Sequence, residues 1–578
     1  MCGIFGVAAR ENVAPLLLKG IKRLEYRGYD SVGIAILSDD VYVKKGAGSI
    51  DDVDKKLNFS KLDGKIGIAH TRWSTHGIAN DINSHPHQSL TKKITIVHNG
   101  ILDNFLTMKK NLEDKGYKFV SETDSEVIAH YLEDKLKTKD IKEAIKDFIK
   151  ESKGTFAILV INRGDDKIYA IKRDSPLVLG ILDGKIILAS DVYAFSDLTN
   201  KAIFFDNDEF AEVSDSGYKF FDKQGKERKK TIKVFEWDQD ESKIEKYEHY
   251  MIKEIMEEPL VAKRLLVSLE NDQKEMFDKL VSMIKKSRKV LFIAAGTSYH
   301  ASLLGAYYFH KCGIDAQTLV ASEFQHFATV DKDTLVIPIT QSGETMDVIE
   351  ALKYCIDRKA KVFSIVNVPH SSIQRMSDAS INILAGQEIC VAATKSFINQ
   401  SILLLRIAKE FGYKVNLDNI SDEIQAVLDK VDKIKSLANE IYDKPDLYIL
   451  GRGLSYPVAR EIALKVKEIS YIHAEGMMGG ELKHGTLALI EEGVPVISLI
   501  SNQDYDMVSN TKEVESRGAN TLVVSNELPG DFMIDTENDG KFGLLATTFG
   551  QLLTYYIALK KGLPIDKPRN LAKSVTVK

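Results

Sequence analysis

Short apolar runs rich in β-branched residues dominate the first part of the chain, up to about Trp237. Such runs, bounded by glycines and polar turns, predict strands at Gly33–Ile36, Val41–Lys44, Ile66–His70, Ile94–His98, Phe156–Ile161, Ile168–Ile171 and Ile186–Ala189. Apolar residues recur at helical spacing at about Val13–Leu24, Ser125–Leu136 and Ile141–Lys150. This pattern predicts an α+β domain of stacked β-sheets covered by helices.

The second part of the chain alternates strands with helices and repeats itself. Lys289–Tyr299 is predicted to contain a buried strand that ends in Gly296-Thr297-Ser298-Tyr299 ahead of a helix, and Asp446–Tyr456 has the same plan. The next strands, Leu335–Thr340 and Val494–Ile500, also correspond. Because strands that alternate with helices form parallel sheets, the sequence predicts two copies of one α/β domain.

A polar stretch from Asp238 to Lys243 separates the two parts and is interpreted as a linker. The expected organisation is a first domain at residues 2–237, a linker at 238–250, two α/β domains at 251–430 and 431–560, and a tail at 561–578. Apolar residues in that tail, such as Leu571 and Val575, would let it close over a site.

Composition narrows the class of function. The chain has 578 residues, 44% hydrophobic and 28% charged, as is ordinary for a globular protein. A net charge of −5 argues against a basic nucleic-acid binder, so the expected partners are small molecules. Four cysteines without C-x-x-C spacing favour a reducing compartment and no structural zinc. With no run of about 18 apolar residues and no signal sequence, we expect a cytoplasmic protein without a membrane partner.

Cys2 is the first candidate for chemistry. Removal of Met1 would leave a cysteine with a free α-amino group, which titrates near pH ~8 and can take the thiol proton. The alternative is that Cys2 is a small buried hydrophobe, as most free cysteines are.

Other polar segments of the first domain have residue types that suit a site. Arg72 and Trp73 are predicted to lie in a loop after a strand, where the arginine suits a carboxylate and the tryptophan a lid. Asn99 and Gly100 offer an amide side chain and a close backbone N–H, the donors of an oxyanion hole. Asp124 is expected to open a helix, as a cap or as a ligand for an ammonium. The alternatives are an ordinary loop at Arg72, an Asn-Gly turn at Asn99 and Gly100, and a simple N-cap at Asp124.

The histidines between His70 and His98 raise the question of a metal. Their spacing matches no common zinc pattern, and no cysteine or acidic cluster accompanies them. We therefore expect no metal and interpret these histidines as structural.

Together these segments resemble the amidotransferase domain of the N-terminal-nucleophile glutaminases. The resemblance rests on the order of Cys2–Gly6, Leu24–Ser31, His70–Gly77, His98–Gly100 and Ser121–Asp124. It implies that the Cys2 thiolate attacks the side-chain amide of glutamine, with its own α-amine as the base, and that ammonia leaves. It also implies that Asn99 and Gly100 stabilise the oxyanion. Glutamine would be bound by Arg72 through its carboxylate, by Asp124 through its ammonium, and by Trp73 and His76.

Small polar residues gather at predicted strand ends of the first α/β copy. They are Thr297 and Ser298 after one strand, and Thr340, Gln341, Ser342 and Thr345 after another. Hydroxyls and backbone N–H groups at helix N-termini can hold a phosphate without a lysine. Simple N-capping explains any one of these residues, but not their accumulation at one sheet edge.

The second part resembles tandem sugar-isomerase domains, which bind phosphosugars in this way. The most specific segments are Gln341–Thr345, Lys467–Glu475, Gly480–Gly485 and Pro568–Val577. The resemblance implies that Glu468 shuttles a proton with help from Lys465, that His484 opens the sugar ring, and that Lys573 forms a Schiff base with the ketose. In the family that histidine comes from the neighbouring subunit, so a homodimer is implied.

Read without the resemblance, these residues are ordinary. Lys465 and Glu468 lie three apart on a predicted helix, Val458–Ser470, and would form a surface ion pair. Lys573 would be a solvated charge on a frayed end.

The resemblance also concerns residues near the predicted sugar-phosphate site. Val391 keeps the pattern of the family in this region. Ala393 stands where many relatives carry serine and is therefore not counted as a site residue, whereas Thr340, at another such position, keeps a hydroxyl.

A glutaminase followed by a sugar-isomerase pair resembles the glutamine-dependent aminotransferases of sugar phosphates. The resemblance implies that L-glutamine and fructose 6-phosphate give L-glutamate and glucosamine 6-phosphate, the start of amino-sugar nucleotide synthesis. Ammonia would cross an internal channel gated by Trp73, and no cofactor or nucleic acid is expected. One alternative is an amidotransferase acting on phosphoribosyl pyrophosphate, and another is a regulator that senses phosphosugars.

Overall fold

The computed structural model describes residues 2–74, 76–234, 244 and 246–576. The chain forms two compact units, one of Met1–Asp240 with Ser574–Lys578 and the other of Glu241–Lys573. The predicted linker residues 238–243 and Trp237 lie outside the described residues.

The first unit consists of two antiparallel sheets with helices on their outer faces, which confirms the predicted α+β architecture. The spatial order is β15-β11-β9-β10-β1-β4-β2-β3 in one sheet and β14-β13-β12-β8-β7-β6-β5 in the other. The strands are β1 (Gly3–Ala9), β2 (Ser31–Leu37), β3 (Val41–Ala47), β4 (Ile66–Arg72), β5 (His87–Gln88), β6 (Ile94–Leu102), β7 (Gly154–Asn162), β8 (Ile168–Arg173), β9 (Val178–Leu182), β10 (Lys185–Ala189), β11 (Lys201–Phe204), β12 (Glu209–Ser214), β13 (Gly217–Phe221), β14 (Glu227–Arg228) and β15 (Lys233–Val234). The helices are α1 (Ala14–Arg23), α2 (Ile50–Leu57), α3 (Phe105–Glu113), α4 (Glu126–Lys135) and α5 (Ile141–Glu151).

Three apolar cores hold these layers together. Ile4 and Ile68 of one sheet meet Leu159 of the other in a core between the sheets. Helices α1 and α2 cover the outer face of the first sheet, and α3, α4 and α5 cover that of the second. The alternation of apolar residues along each strand fills both faces, so the sheets stack as the sequence predicts.

Strand β1 positions Cys2. All residues of β1 are buried, and the strand lies in the middle of its sheet between β10 and β4. Because β1 and β4 are antiparallel, with Gly3 opposite Thr71, the start of β1 lies beside the end of β4. Cys2 and Arg72 are therefore brought to the same edge.

The second unit contains two parallel sheets with the same strand order, which confirms the repeat. The orders are β17-β16-β18-β19-β20 and β22-β21-β23-β24-β25. The strands are β16 (Lys289–Ala294), β17 (Ala316–Val320), β18 (Thr334–Thr340), β19 (Lys361–Val366), β20 (Ala379–Asn382), β21 (Asp446–Gly451), β22 (His473–Met478), β23 (Pro495–Ile500), β24 (Asn520–Ser525) and β25 (Phe532–Met533). The helices are α6 (Tyr250–Met256), α7 (Glu258–Glu270), α8 (Lys274–Lys286), α9 (Gly296–Lys311), α10 (Phe324–Phe327), α11 (Met346–Asp357), α12 (Ser372–Met376), α13 (Lys395–Glu410), α14 (Ile420–Leu428), α15 (Val431–Ile441), α16 (Ser455–Ser470), α17 (Tyr505–Glu515) and α18 (Asp539–Lys560).

Helix α18 is the core of this unit. By length and composition it is apolar enough to cross a membrane, but 89% of its apolar window is buried inside the unit. It packs against helices such as α15 and α16, as the central helix of a large core does.

Several predicted elements differ from the structure in ways that matter for the site. Strand β4 continues to Arg72, so the predicted loop begins only at Trp73. Strand β6 includes Asn99 and Gly100, so the alternative of an Asn-Gly turn is wrong. Helix α4 begins at Glu126, after Ser125, so Asp124 does not cap it and that prediction is wrong. In each case, the structure of the segment depends on contacts with a distant part of the chain, which local sequence spacing does not show.

Candidate active site

Cys2 lies half-buried at the start of β1, against the backbone of Trp73. The Trp73 N–H donates to Cys2 Sγ at 3.4 Å, and the thiol lies 3.5 Å from the Trp73 carbonyl oxygen, to which it donates. Burial raises the pKa of the Cys2 thiol above its ordinary value. Attack by this sulfur therefore needs a base close by.

Asn99 and Gly100 lie beside Cys2, in the middle of strand β6. The Asn99 side chain is buried, and its Nδ2 donates to the Cys2 carbonyl oxygen at 2.9 Å. Gly100 has φ +127°, and a Cβ there would lie 2.1 Å from the Thr155 carbonyl oxygen. Only glycine fits that position, so the close pairing of β6 with β7 beside Asn99 depends on Gly100.

Arg72 is the last residue of β4 and is buried, with 4% of its surface exposed, so the alternative of an ordinary loop is wrong for Arg72. Its guanidinium donates to the carbonyl oxygens of His76, of Gly77 at 3.1 Å and of Ile78 at 3.3 Å. The His76 ring packs edge-on against Phe105 at 5.5 Å. Arg72 thus holds the loop that follows Trp73, with its charge close to Cys2.

Asp124 is buried and accepts hydrogen bonds from two sides. The Leu102 backbone N–H donates to Asp124 Oδ2 at 2.9 Å, and Ser125 Oγ donates to Oδ1 at 3.3 Å. Leu102 is the last residue of β6, so this bond ties Asp124 to the strand of Asn99. Its negative charge acts on Arg72.

Two residues that the sequence did not suggest organise this region. Asn83 is buried, and its Nδ2 donates to the Ile78 carbonyl oxygen at 3.1 Å and to Glu122 Oε2 at 2.9 Å, while its Oδ1 accepts from the Glu122 N–H at 2.9 Å. Asp30 accepts from the Ser74 N–H at 2.7 Å. Asn83 therefore links the loop held by Arg72 to the segment that carries Asp124.

A cluster of buried histidines lies behind the site. His70 and His85 have ring centroids 4.0 Å apart, and His85 and His87 4.6 Å. Burial lowers the pKa of His70 to about 3 and the pKa values of His85 and His87 well below the usual range, so the rings are neutral. Across the described part of the chain, no group of three or more histidine, cysteine or acidic residues is arranged to hold a metal ion.

In the second unit, Thr297 and helix α16 form a buried polar cluster. Lys465 Nζ donates to Thr297 Oγ1 at 2.9 Å and pairs with Glu468 Oε2 at 2.6 Å, and Thr297 donates to Glu461 Oε1 at 3.0 Å. His300 Nδ1 lies 2.8 Å from the other oxygen of Glu461. Burial opposes the charge of Lys465, but Glu461 and Glu468 outweigh it and raise the pKa of the ammonium. The alternative of a surface ion pair is therefore wrong for Lys465, which is buried, while Glu468 is half-buried.

Glu461 and His300 were not suggested by the sequence analysis. Glu461, Lys465 and Glu468 recur at helical spacing, so they share one face of α16, and that spacing was the available signal.

The turn from Thr340 to Thr345 follows strand β18 and leads into α11. The Gly343 N–H donates to Thr340 Oγ1 at 3.1 Å, and the Glu344 N–H to Ser342 Oγ at 3.2 Å. Thr345 occupies the N-cap position of α11 without a side-chain capping bond. Gln341 is half-buried, and its carbonyl oxygen accepts from the Val368 N–H. These hydroxyls and N–H groups lie at the carboxyl end of a parallel strand, where such sheets bind ligands.

The remaining residues predicted for the sugar site belong to the same α/β copy as this turn. Ser298, near the start of α9, accepts from Gln400 Nε2 at 3.0 Å. The Val391 N–H donates to the Asp566 carbonyl oxygen at 3.1 Å. Ala393 is half-buried. Gln400 is a further residue that the sequence analysis did not single out.

Lys573 is held by a buried carboxylate. Its Nζ lies 2.6 Å from Glu388 Oε2, and the two side chains are 4% and 0% exposed. The expectation of a frayed, solvated lysine is therefore wrong for Lys573. Glu388 was not suggested by the sequence.

His484 stands apart from these residues. It is exposed at the end of a short 3-10 helix, Gly479–His484. Near the end of β21, Arg452 pairs with Asp504 at 3.6 Å and Asp506 at 2.8 Å. At the positions that correspond to Thr297 and Ser298, the second copy has Leu454 and Ser455, so it repeats only one of the two hydroxyls.

Comparison with known proteins agrees with this division. A glutamine amidotransferase domain model matches residues 70–197, and a SIS domain model matches residues 283–409 and 440–532. Isomerising glutamine–fructose-6-phosphate aminotransferases of Clostridium tetani and Thermococcus kodakarensis are each 41% identical to the chain, over 100% of both lengths.

A solved structure is also similar. The C-terminal domain of glucosamine-fructose-6-phosphate aminotransferase from Francisella tularensis has 32% identity and a TM-score of 0.53, covering 56% of this chain and 100% of that one. With relatives that match from end to end and both domain types in the same order, the chain belongs to the family of isomerising glutamine–fructose-6-phosphate aminotransferases.

Proposed function

We propose that the protein converts fructose 6-phosphate and L-glutamine into glucosamine 6-phosphate and L-glutamate. The observation that carries the proposal is the end-to-end match to relatives of that name, which spans both the glutaminase unit and the sugar-isomerase pair. The matched sugar-isomerase domains count against an enzyme for phosphoribosyl pyrophosphate. The glutamine amidotransferase domain, together with Cys2, counts against a mere sensor of phosphosugars.

Glutamine hydrolysis is assigned to Cys2 after removal of Met1. The α-amine takes the thiol proton, the sulfur attacks the amide carbon, and Asn99 and Gly100 donate to the oxyanion. Asn99 Nδ2 already donates to the Cys2 carbonyl oxygen at 2.9 Å, so a small movement of this side chain brings it within hydrogen-bond distance of a substrate oxygen. Collapse of the intermediate releases ammonia, and water then releases glutamate.

Recognition of glutamine is assigned to the charges around Cys2. Arg72 binds the α-carboxylate and Asp124 the α-ammonium, with Trp73 and His76 completing the pocket. The buried positions of Arg72 and Asp124 support this assignment, because charge pairing is strong where water is excluded.

The phosphosugar is assigned to the first α/β copy. The phosphate is held by Ser298 and the turn of Thr340, Gln341, Ser342 and Thr345, with Thr297 and Val391 beside it. The support is that these hydroxyls and N–H groups gather in one turn at the start of α11, where Thr345 makes no side-chain capping bond.

Sugar chemistry is assigned to four residues. Lys573 forms a Schiff base with the ketose carbonyl, and Glu468 moves a proton between the first two carbons. Lys465 Nζ lies 2.6 Å from Glu468 Oε2 and holds that carboxylate in position. His484 opens the ring.

The decisive experiment assays glutamine with several hexose phosphates and scores glutamate and amino sugar separately. We expect amino sugar only with fructose 6-phosphate. Cys2→Ala should abolish glutamate release but keep sugar binding, and Lys573→Arg should abolish borohydride trapping of the sugar. Glutamine-dependent product from Cys2→Ala, or trapping in Lys573→Arg, would refute these roles.

We also propose a homodimer in which His484 acts in the partner's site. The exposure of His484, in contrast to the buried side chains of Lys465 and Lys573, supports it. Mixing inactive His484→Ala and Lys573→Ala proteins under exchange conditions should restore part of the activity, because one composite site is then intact. No recovery in mixed dimers would contradict the proposal.

Two further proposals concern ammonia and location. Ammonia from Cys2 reaches the sugar without release, gated by Trp73, and the enzyme acts in the cytoplasm. The free state of all four cysteines is consistent with a reducing compartment. With isotopically labelled ammonium in the medium, amino sugar made from unlabelled glutamine should stay unlabelled, and full label exchange would refute the channel.

A further inference from the structure

The proposed nucleophile of the sugar site, Lys573, is held in a buried ion pair. The side chain of Lys573 is 4% exposed, and Nζ lies 2.6 Å from Glu388 Oε2. An ammonium cannot attack a carbonyl, and so little exposure leaves few water molecules to take the proton. The nearest acceptor is the carboxylate that already holds the lysine.

Glu388 is fixed in position by the start of helix α13. The Thr394 and Ser396 N–H groups donate to its Oε1 at 3.0 and 3.1 Å, and Ser396 Oγ donates to Oε2 at 2.8 Å. Burial alone would raise the pKa of Glu388, but Lys573 and these donors lower it to about 2. The oxygen that faces the lysine therefore has a fixed direction and is ionised.

Other charged and titratable groups face this pair from the surrounding elements. They are Glu254 of α6, Glu258 of α7, Cys390, Lys395 of α13, Lys465 of α16 and Asp566. Glu254 accepts from the Ile389 N–H at 2.5 Å and the Cys390 N–H at 3.1 Å. Burial, and then Glu388, raises the pKa of Glu254 to about 8, so Glu254 is mostly neutral at pH 7. Glu388 is the ionised carboxylate in contact with Lys573.

We propose that Glu388 is a catalytic residue of the Schiff-base step, acting first as the proton acceptor and then as the proton donor for Lys573. This inference rests on the proposed function, in which Lys573 attacks the ketose. Glu388 takes a proton from the Lys573 ammonium, the neutral amine adds to the carbonyl carbon, and one proton passes from the nitrogen to the oxygen to give a neutral carbinolamine. Glu388 then returns the proton to the carbinolamine hydroxyl, the C–O bond breaks, and water leaves with formation of the protonated Schiff base.

The step balances without another reactant. The ammonium, carboxylate and ketone become an iminium, the same carboxylate and one water molecule. Glu388 therefore ends each cycle ionised, ready to pair with Lys573 when the sugar is released.

The test measures the rate at which fructose 6-phosphate is trapped on the full-length enzyme by borohydride. Glu388→Gln keeps the size and loses the proton carrier, so we expect trapping at pH 7 to slow about 100-fold or more, the range of general acid–base catalysis. Glu254→Gln is the matched control, because it is an equally buried glutamate that is not in contact with Lys573. It should stay within about threefold of the wild type.

A chemical-rescue experiment separates a proton carrier from a structural partner. Glu388→Ala leaves space for a small acid, so formate should restore trapping in this variant in a saturable way and should not affect Glu254→Ala. In the wild type the trapping rate should be nearly constant from pH 6 to 8, since the proton stays within the pair.

The outcomes are distinguishable. If the wild type is trapped and Glu388→Gln is trapped as fast, the inference is overturned while the proposed function stands. If the wild type itself is not trapped, the Schiff base and this inference both fall. If the Glu388 variants do not fold, the wild-type pH profile decides, because a tenfold rise in rate per pH unit would mean that the proton leaves to solvent and would overturn the inference.

Discussion

Replacing Gly343 by alanine tests whether the turn after β18 is a phosphate cradle. Gly343 has φ +67°, and a Cβ there would lie 2.0 Å from Ser371 Oγ and 2.3 Å from Ser371 Cβ. The left-handed backbone costs about 1–2 kcal/mol for alanine. Rotating the serine cannot remove the overlap with its Cβ, and forced shifts of this kind cost about 1–3 kcal/mol. We expect Gly343→Ala to lower the free energy of unfolding by about 2–5 kcal/mol.

Matched variants separate the two costs. Gly453 has φ +55° and no atom within 4 Å of an added Cβ, so Gly453→Ala should show only the backbone cost of about 1–2 kcal/mol. Adding Ser371→Gly to Gly343→Ala should recover the steric part. Adding Ser371→Ala should not, because that residue keeps its Cβ.

Two assays follow these variants, urea unfolding for stability and calorimetry for fructose 6-phosphate binding. The Gly343 N–H bonds to Thr340 Oγ1 at 3.1 Å, so displacement of the turn should weaken sugar binding by at least about tenfold. Gly453→Ala should bind normally. Equal stability losses at Gly343 and Gly453 would refute the steric argument, and unchanged sugar binding in Gly343→Ala would refute the cradle.

Three further predictions concern buried polar groups. Asn83→Ala removes the link between the Arg72 loop and the Asp124 segment, so steady-state kinetics should show a KM for glutamine raised about tenfold with a smaller change in kcat. Glu258→Gln should be more stable than the wild type, and the difference should grow as pH rises. Burial raises the pKa of Glu258 in the folded state to about 8, so the wild type loses folding stability as pH rises from about 4.5 to 8. The urea-unfolding difference should be near zero at low pH and on the order of 4 kcal/mol at pH 8. Lys465→Met leaves buried carboxylates without their cation and should cost about 3–5 kcal/mol in unfolding free energy.

Each of these has a clear contrary result. An Asn83→Ala enzyme with an unchanged KM would mean that the two ends of glutamine are held independently. A pH-independent effect of Glu258→Gln would mean that this carboxyl is ionised in the folded state. A Lys465→Met protein as stable as the wild type would mean that neighbouring carboxyls take up protons at no cost.

The sequence predicted the sheets well because their signal is local. Alternating and β-branched apolar residues predicted strands at Ile66–His70 and Ile94–His98, which the structure extends to Arg72 and Leu102, and the repeat of strand and helix predicted both parallel sheets. The predictions that failed concern the contacts of polar residues near strand ends. Asp124 looked like a helix cap, but the backbone N–H of Leu102, from another strand, is its partner.

The supporting residues of the site were harder to find for the same reason. Asn83, Glu388 and His300 take their meaning from partners far away in the chain, Glu122, Lys573 and Glu461, and no short spacing marks them. Glu461 is the exception, since it shares a helix face with Lys465.

The hydrogen bond from Lys465 to Thr297 makes the two α/β copies depend on each other. Helix α16 of the second copy brings Lys465 and Glu461 to Thr297, which lies at the start of α9 in the first copy. Expressed singly, the first copy would lack these partners of Thr297, and the second copy would expose the buried charges of Glu461 and Lys465 to water.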